Sequence, residues 1–411
     1  MLNNLKQNKL FEIFCNLLQI PSPSLGEENV IKWIEEFCKK NGIFCEADAY
    51  GNVFINVKAK NPHKKPILLS AHLDVVGDFS PVMLKTEGDF IKTDGARTLG
   101  ADDKVGVACA LLLALELTQN SELEHGGLEI VLTRDEEHGM SGIKHVDFKK
   151  LNSKYVIVLD ADKLGQLLVS GASYLIGTLK VTTPYGGHSG IDIHDKHRLN
   201  AAKLIAELIS DIPQGVFYKD EKGTITSINI GTIIAGNIQN TTSKVASEQI
   251  KCDNYQDYFI KNSITNVINT EAQASYSIRS ADLDKENELK ELVNTKITGF
   301  NKRYEGFAQA KMTYSQHLPP FEKTEDDLVE KLFIAACNKT EVKPLISSFH
   351  AGAETHIYAQ NTNANGEKFL PFLLGLADVF NMHSAAEKVD YKTMLKGYEL
   401  LNQFFVEFNL Q

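Results

Sequence analysis

Three apolar stretches of the 411-residue chain each end in side chains that hold metals or move protons. ILLSAHLDVV carries His72 and Asp74 just past its apolar part, LEIVLTRDEE ends in Asp135, Glu136 and Glu137, and YVIVLDAD ends in Asp160 and Asp162. LGADDKVGVA adds Asp102 and Asp103 where a helix would begin. Carboxylates gathered at one place repel one another and are costly to desolvate, and shared cations remove both penalties. A donor set of histidine and carboxylate without cysteine suits zinc, manganese or cobalt. Two such ions about 3.5–4 Å apart, bridged by a carboxylate and a water, are the usual arrangement for amide hydrolysis. The two-residue period of a strand puts His72 and Asp74 on one side, so Asp74 can orient the His72 ring. Taken singly, these residues say less. Aspartates are favoured at helix starts by capping and by the helix dipole, Glu136 and Glu137 suit a solvated cluster, and an isolated histidine such as His383 is more often structural.

The elements that must position these groups can be read from the apolar pattern. Residues 67–70, 128–133 and 155–159 are short continuous apolar runs, as strands buried on both faces are. Helical spacing covers 8–18, 27–40 and 102–117. This alternation predicts an α/β domain with a mostly parallel sheet, in which sites form at the carboxyl ends of strands. Beyond about residue 175 the pattern changes. Residues 174–183 alternate like a half-exposed strand, GGHSG is a turn, 200–212 is an amphipathic helix, and 224–234 and 272–278 read as strands around a polar stretch. The prediction is a smaller α+β domain inserted into the first, with bounds 1–175, 176–317 and 318–411 and with Pro319 and Pro320 marking the return. The last ninety residues read as helices, with one short buried strand over 372–376.

Composition excludes several classes of function. Hydrophobic residues at 43% and charged residues at 23% exclude disorder as the main state. A formal charge of −10 with no basic run argues against a nucleic acid partner. The apolar run 107–115 stops at Glu116, far short of a membrane span. MLNNLKQNKLFEIF has neither a long apolar stretch nor a small-residue cleavage site, and no two of the scattered cysteines form a C-x-x-C pair. The expected location is the cytoplasm, with reduced thiols. No G-x-G-x-x-G follows the first strand, which argues against a dinucleotide-dependent oxidoreductase.

In chain order, HLDVV, LGADDKVGVA, TRDEEHGMSG, VLDAD, GGHSG and NMHSAAE resemble the co-catalytic zinc peptidases related to peptidase T, aminoacyl-histidine dipeptidase, carboxypeptidase G2 and succinyl-diaminopimelate desuccinylase. The resemblance runs from about residue 65 to 390. TRDEEHG is most similar to peptidase T, whereas GGHSGIDIH and FHAGAE are more similar to aminoacyl-histidine dipeptidase. It implies a mixed, mostly parallel sheet flanked by helices, with an inserted lid domain. It implies that His72 and Asp160 hold one metal, that Glu137 and His383 hold a second, and that Asp102 bridges them. By the same resemblance Glu136 is the general base and Asp74 orients His72. His188 resembles a lid histidine that stabilises the tetrahedral oxyanion, and Arg279 in YSIRSAD a lid arginine that binds a substrate carboxylate.

Also implied are a cis Asp102–Asp103 bond, two divalent ions (zinc first, manganese or cobalt as alternatives) and dimerisation through the lid. The lid departs from the family pattern. Asn269 stands where relatives carry proline, after a polar insertion over 237–265, and His194 and His197 near His188 read as a polar lid loop, with a further metal site formed by the three histidines as the alternative. The expected function is a metal-dependent exopeptidase acting on di- or tripeptides through a metal-bridging water activated by Glu136. An N-acyl amino acid deacylase on the same scaffold is the alternative. A non-catalytic metal-dependent binding protein is a third reading, and Glu136 argues against it, since a binder needs no base beside its ligands.

Overall fold

Strands buried on both faces need two apolar layers, and the alternate side chains of the central strands supply them. Leu69, Ile130 and Ile157 point into one core, while Leu68, Val131 and Val156 point into the other. The computed structural model describes residues 7–119, 122–221, 223–236 and 264–411, so nearly all of the polar insertion expected over 237–265 lies outside the described residues. The chain divides into one unit of Met1–Gly171 with Phe321–Gln411 and a second of Ala172–Pro320.

The first unit is built on an eight-stranded sheet in the order Phe44–Ala47, Val53–Val57, Leu128–Thr133, Ile67–His72, Tyr155–Ala161, Leu370–Gly375, Gln166–Gly171 and Leu345–Phe349. Four of its seven neighbouring pairs are parallel, and three of these adjoin at the centre. Every residue of Ile67–His72 and Leu128–Thr133 is buried. Pairing of His72 with Thr133 and of Ser70 with Val158 brings the carboxyl ends of three strands to one edge.

The larger core lies under the helices Lys9–Leu18, Ala101–Gln119, Leu328–Lys339 and Tyr391–Asn409. Ala101–Gln119 is buried along almost its whole length, so its sequence lacks an amphipathic period and is simply apolar. A Cβ on Gly106 would lie 2.8 Å from the Leu159 carbonyl oxygen, so only glycine lets this helix approach the sheet so closely. Truncating Leu111, fully buried at the centre of the helix, to alanine would cost about 2–5 kcal/mol.

The second unit is an antiparallel sheet in the order Gly215–Lys219, Ile225–Ala235, Glu271–Ser280, Tyr174–Thr182 and Gln309–Leu318. Its core packs one face of the sheet against Ala201–Asp211 and Leu283–Arg303. Asn200 and Asp282 cap these helices, Asn200 accepting the Ala202 N–H and Asp282 those of Asp284 and Lys285. Among the described residues, no helix is long and apolar enough to cross a membrane.

Several elements are absent from the sequence reading. Leu345–Phe349 is a strand, so the C-terminal region is not helical apart from one strand. Lys85–Glu87 and Phe90–Lys92 form a hairpin to which Lys388–Asp390 adds, and these strands are too short to show a period. Leu283–Arg303 buries a narrow apolar stripe of Leu289, Val293, Ile297 and Phe300, together with Glu286, in an otherwise charged segment.

Candidate metal centre

The strand Ile67–His72 ends on His72 itself, and the chain then turns through Leu73 to Asp74. Asp160 is the sixth residue of Tyr155–Ala161. Glu136 and Glu137 follow the end of Leu128–Thr133 by three and four residues. Asp102 sits at the start of Ala101–Gln119, where the peptide bond to Asp103 is cis. His383 lies between the short strands Val379–Phe380 and Lys388–Asp390, in a backbone held at φ +59°. Asp135, beside the glutamates, is also held in the left-handed region at φ +52°. Left-handed backbone in non-glycine residues is uncommon and clusters where geometry matters to function.

These segments converge on two triads that share Asp102. His72, Asp102 and Asp160 form one, and Asp102, Glu137 and His383 form the other; in each, three ligand atoms lie within 4.8 Å of one another. The two oxygens of Asp102 divide between them. Oδ1 is 3.1 Å from His72 Nε2, and Oδ2 is 3.0 Å from His383 Nε2. His72 Nε2 is 3.6 Å from Asp160 Oδ1, and His383 Nε2 is 2.9 Å from Glu137 Oε1. Ligands about 2.0–2.1 Å from a tetrahedral ion are spaced about 3.3 Å apart, so these separations suit one small cation in each triad. Glu137 Oε1 is buried and takes no hydrogen bond although His383 Nε2 is so near. Two atoms that offer lone pairs to a common cation stand in that relation. The residues present therefore suit two divalent ions.

Without cations the electrostatics are severe. Burial pushes Asp160 and Glu137 each up to about 7, and it pushes Glu136 well above the usual carboxylate range. The histidines respond by taking up protons. Burial disfavours charge on His72, but hydrogen bonds to Asp102, Asp160 and Asp74 outweigh it and raise its pKa well above the ordinary value. The hydrogen bond to Asp102 raises His383 to about 9. A bound cation does the same work as these protons and returns both rings to the neutral form that binds metal.

Asp74 faces both the His72 ring and the glutamate turn. Its Oδ1 is 3.3 Å from His72 Nδ1, and that nitrogen also lies 3.0 Å from the Asp74 carbonyl oxygen. The same carboxylate accepts the backbone N–H of Glu136 at 2.9 Å, the N–H of Glu137 at 3.1 Å and the Ser24 hydroxyl at 2.7 Å. Burial would raise its pKa, but the hydrogen bond to His72 and the charge of that ring, followed by the Ser24 hydroxyl and the Glu136 N–H, hold it down to about 2.

A third acidic cluster, Glu27, Asp74 and Asp135, lies behind the triads. Its oxygens already have donors. Asp135 accepts the Tyr50 hydroxyl at 2.9 Å and the Leu25 N–H, and Glu27 accepts Arg134 Nε at 2.8 Å and the Asp135 N–H at 3.1 Å. It is a brace that ties the 22–27 loop to the glutamate turn. Buried Lys104 adds to it by donating to the Ser22 hydroxyl at 2.9 Å and to the Leu73 carbonyl.

Glu354 is one of the buried acids that the sequence does not reveal. It comes from the FHAGAE segment, lies 3.4 Å from the Ser70 hydroxyl, and is pushed up to about 8 chiefly by burial. FHAGAE stands out in the sequence only by its resemblance to aminoacyl-histidine dipeptidase, and a single glutamate among alanines and glycine carries no spacing that would mark it.

The remaining expected site residues belong to the second unit. His188 is exposed on a two-residue strand, its Nδ1 accepting the Gly190 N–H at 3.1 Å. Arg279 lies in the strand Glu271–Ser280 with its guanidinium 4.5 Å from the centre of the Tyr174 ring, and no described carboxylate pairs with it. His194 and His197 join no metal-type cluster among the described residues.

The chain is similar to known proteins along its length. The cytosol non-specific dipeptidase of Escherichia coli (strain K12) is 31% identical over 239 residues, which cover 51% of this chain and 48% of that protein. Thus the match spans about half the length of that relative. Peptidase T of Listeria monocytogenes is 26% identical over 351 residues, 83% of this chain and 74% of the relative. The fold matches that of aminopeptidase PepT from Bacillus cereus with a TM-score of 0.77 at 21% identity, covering 98% of each chain. Residues 68–407, which contain both triads, match the Peptidase family M20/M25/M40, and the chain belongs to that family.

Proposed function

We propose that the protein is a metal-dependent exopeptidase of the cytoplasm that cleaves di- or tripeptides. The division of Asp102 carries this reading: one carboxylate oxygen faces His72 and the other faces His383, while the adjacent acid Glu136 joins neither triad. An ion-binding protein has no use for that extra carboxylate, and a hydrolase needs one. The similarity to a dipeptidase and to peptidase T supports short peptides as substrates, and no disulfide joins the described cysteines, which suits a reducing compartment.

Two divalent cations, zinc first and manganese or cobalt as alternatives, would be held by His72, Asp102 and Asp160 and by Asp102, Glu137 and His383, and when bound they polarise the scissile carbonyl and acidify water. The chain supplies the rest. Asp74 faces Nδ1 of His72 and leaves Nε2 directed at Asp102 and Asp160, which sets the tautomer. Glu136 takes the proton of the attacking water and returns it to the leaving amine. Arg279 reads the terminal carboxylate of the peptide, its guanidinium steadied on Tyr174 and uncommitted to any described acid. His188 stabilises the oxyanion that forms at the scissile carbonyl.

Chelation followed by metal replacement tests the reading. Hydrolysis of di- and tripeptides should vanish in chelator-treated protein and return with zinc, manganese or cobalt. Full turnover by metal-free protein would refute it. Preference for acyl amino acids over peptides would assign the same chemistry to a deacylase.

A further inference from the structure

Glu387 lies four residues after His383 in NMHSAAE, and its side chain is 1% exposed. No lysine or arginine among the described residues forms an ion pair with it. Among the described residues, the donors to its carboxylate all come from one short segment. Oε2 accepts the Thr98 hydroxyl and the Gly100 N–H at 2.8 Å, and Oε1 accepts the Ala101 N–H at 2.9 Å and the Asp102 N–H at 3.3 Å. That segment ends in the shared ligand Asp102, whose Oδ2 reaches back to His383. The contacts form a closed ring from His383 to Asp102, through the Asp102 backbone to Glu387, and along four residues back to His383.

We propose that Glu387 is the positioning residue of the triad formed by Asp102, Glu137 and His383, fixing the His383 turn against the Asp102 backbone so that the second cation is bound. This inference rests on the two-cation reading above and extends it. The first triad does not depend on the same contact. His72 and Asp160 stand on central strands, and Asp102 is also anchored through its neighbour Asp103, which accepts the His72 N–H at 3.2 Å and the Gly106 N–H at 3.1 Å. Loss of Glu387 therefore separates the two sites, weakening one and sparing the other. A purely structural role, such as satisfying the helix start, would lower stability without separating them.

Titration of the chelator-stripped full-length chain with zinc, followed by calorimetry and a competing chromophoric chelator, tests this. Wild type should take up two equivalents. Glu387→Gln and Glu387→Ala should hold the first with little change and bind the second at least about tenfold more weakly, the scale on which outer partners of metal ligands act. Glu387→Asp should lie between, and it carries the test if the other two do not fold. Glu129→Gln is the control. Glu129 is a buried acid that accepts the Asn152 and Ser153 N–H groups and the Ser153 hydroxyl, from the end of its strand paired with Ile67 and Leu68 rather than with His72. Its loss should lower the melting temperature and leave both zinc affinities in their wild-type ratio. Folded Glu387 variants that bind both equivalents as wild type does, or lose both equally, overturn the proposal. A wild type that binds fewer than two equivalents overturns the two-cation reading itself, and this inference with it.

Discussion

Glu136→Gln and Glu137→Gln should part company although the residues are neighbours. Asp74 accepts both backbone N–H groups, at 2.9 and 3.1 Å, so the turn keeps its place when either side chain is changed. Only Glu137 reaches a ligand position, with Oε1 2.9 Å from His383 Nε2. Converting Glu136 to an amide removes the group that accepts the proton and leaves both triads intact. Loss of a general base costs about a hundred- to ten-thousand-fold in turnover, or about 2.7–5.4 kcal/mol of barrier at about 1.36 kcal/mol per decade. Converting Glu137 to an amide instead replaces an anionic donor of the second triad with a neutral one, so metal should be lost before catalysis can be judged. The assay is kcat on a tripeptide, with metal content measured by mass spectrometry after exhaustive dialysis. Glu136→Gln should keep its metal and lose turnover, whereas Glu137→Gln should lose roughly one equivalent. The reverse pattern, or wild-type turnover by Glu136→Gln, refutes the assignment.

Two further outcomes follow from the geometry. Burial raises Glu354 to about 8 from 4.5, so between those values the folded chain keeps a proton that the unfolded chain releases, and stability falls as pH rises. In chelated protein Glu354→Gln should be near neutral at pH 5 and stabilising by several kcal/mol, on the order of 3–5, at pH 8.5; melts at the two pH values check this, and a gap that closes with rising pH would contradict it. Arg279→Lys should lower kcat/KM for peptides with a free C-terminus and barely affect amidated ones, because lysine cannot form the paired hydrogen bonds of a guanidinium; equal losses on both kinds of peptide would remove Arg279 from carboxylate recognition.

What was legible in the sequence follows from burial. Strands covered on both faces have no polar side, so 67–70, 128–133 and 155–159 stand out as apolar runs, and the ligands show because polarity resumes abruptly where those strands end. Strand order was not legible, because neighbours such as Tyr155 and Leu370 are paired across more than two hundred residues and nothing local encodes that choice. Leu345–Phe349 was hidden because its two serines break the apolar run, one of them bonded to Ser170 on the neighbouring strand. His383 was legible only through the resemblance, since a lone histidine in a polar turn has no spacing partner. Glu387 and Glu354 were missed for a related reason: a carboxylate that serves backbone amides or lies buried alone leaves no periodic trace.

The same device recurs in the irregular backbone around the centre. Asp74 accepts the amides of Glu136 and Glu137, Asp135 accepts that of Leu25, and Glu387 accepts those of Gly100, Ala101 and Asp102. Each turn is too short to satisfy its own N–H groups, and an unsatisfied buried amide is costly. A carboxylate answers several amides at once and is stronger than a neutral acceptor. It also adds negative charge beside a site that is already crowded with acids. That excess is tolerable only if positive charge enters the centre. The carboxylates that fix the ligand geometry therefore also strengthen the demand for the cations that the ligands are placed to hold.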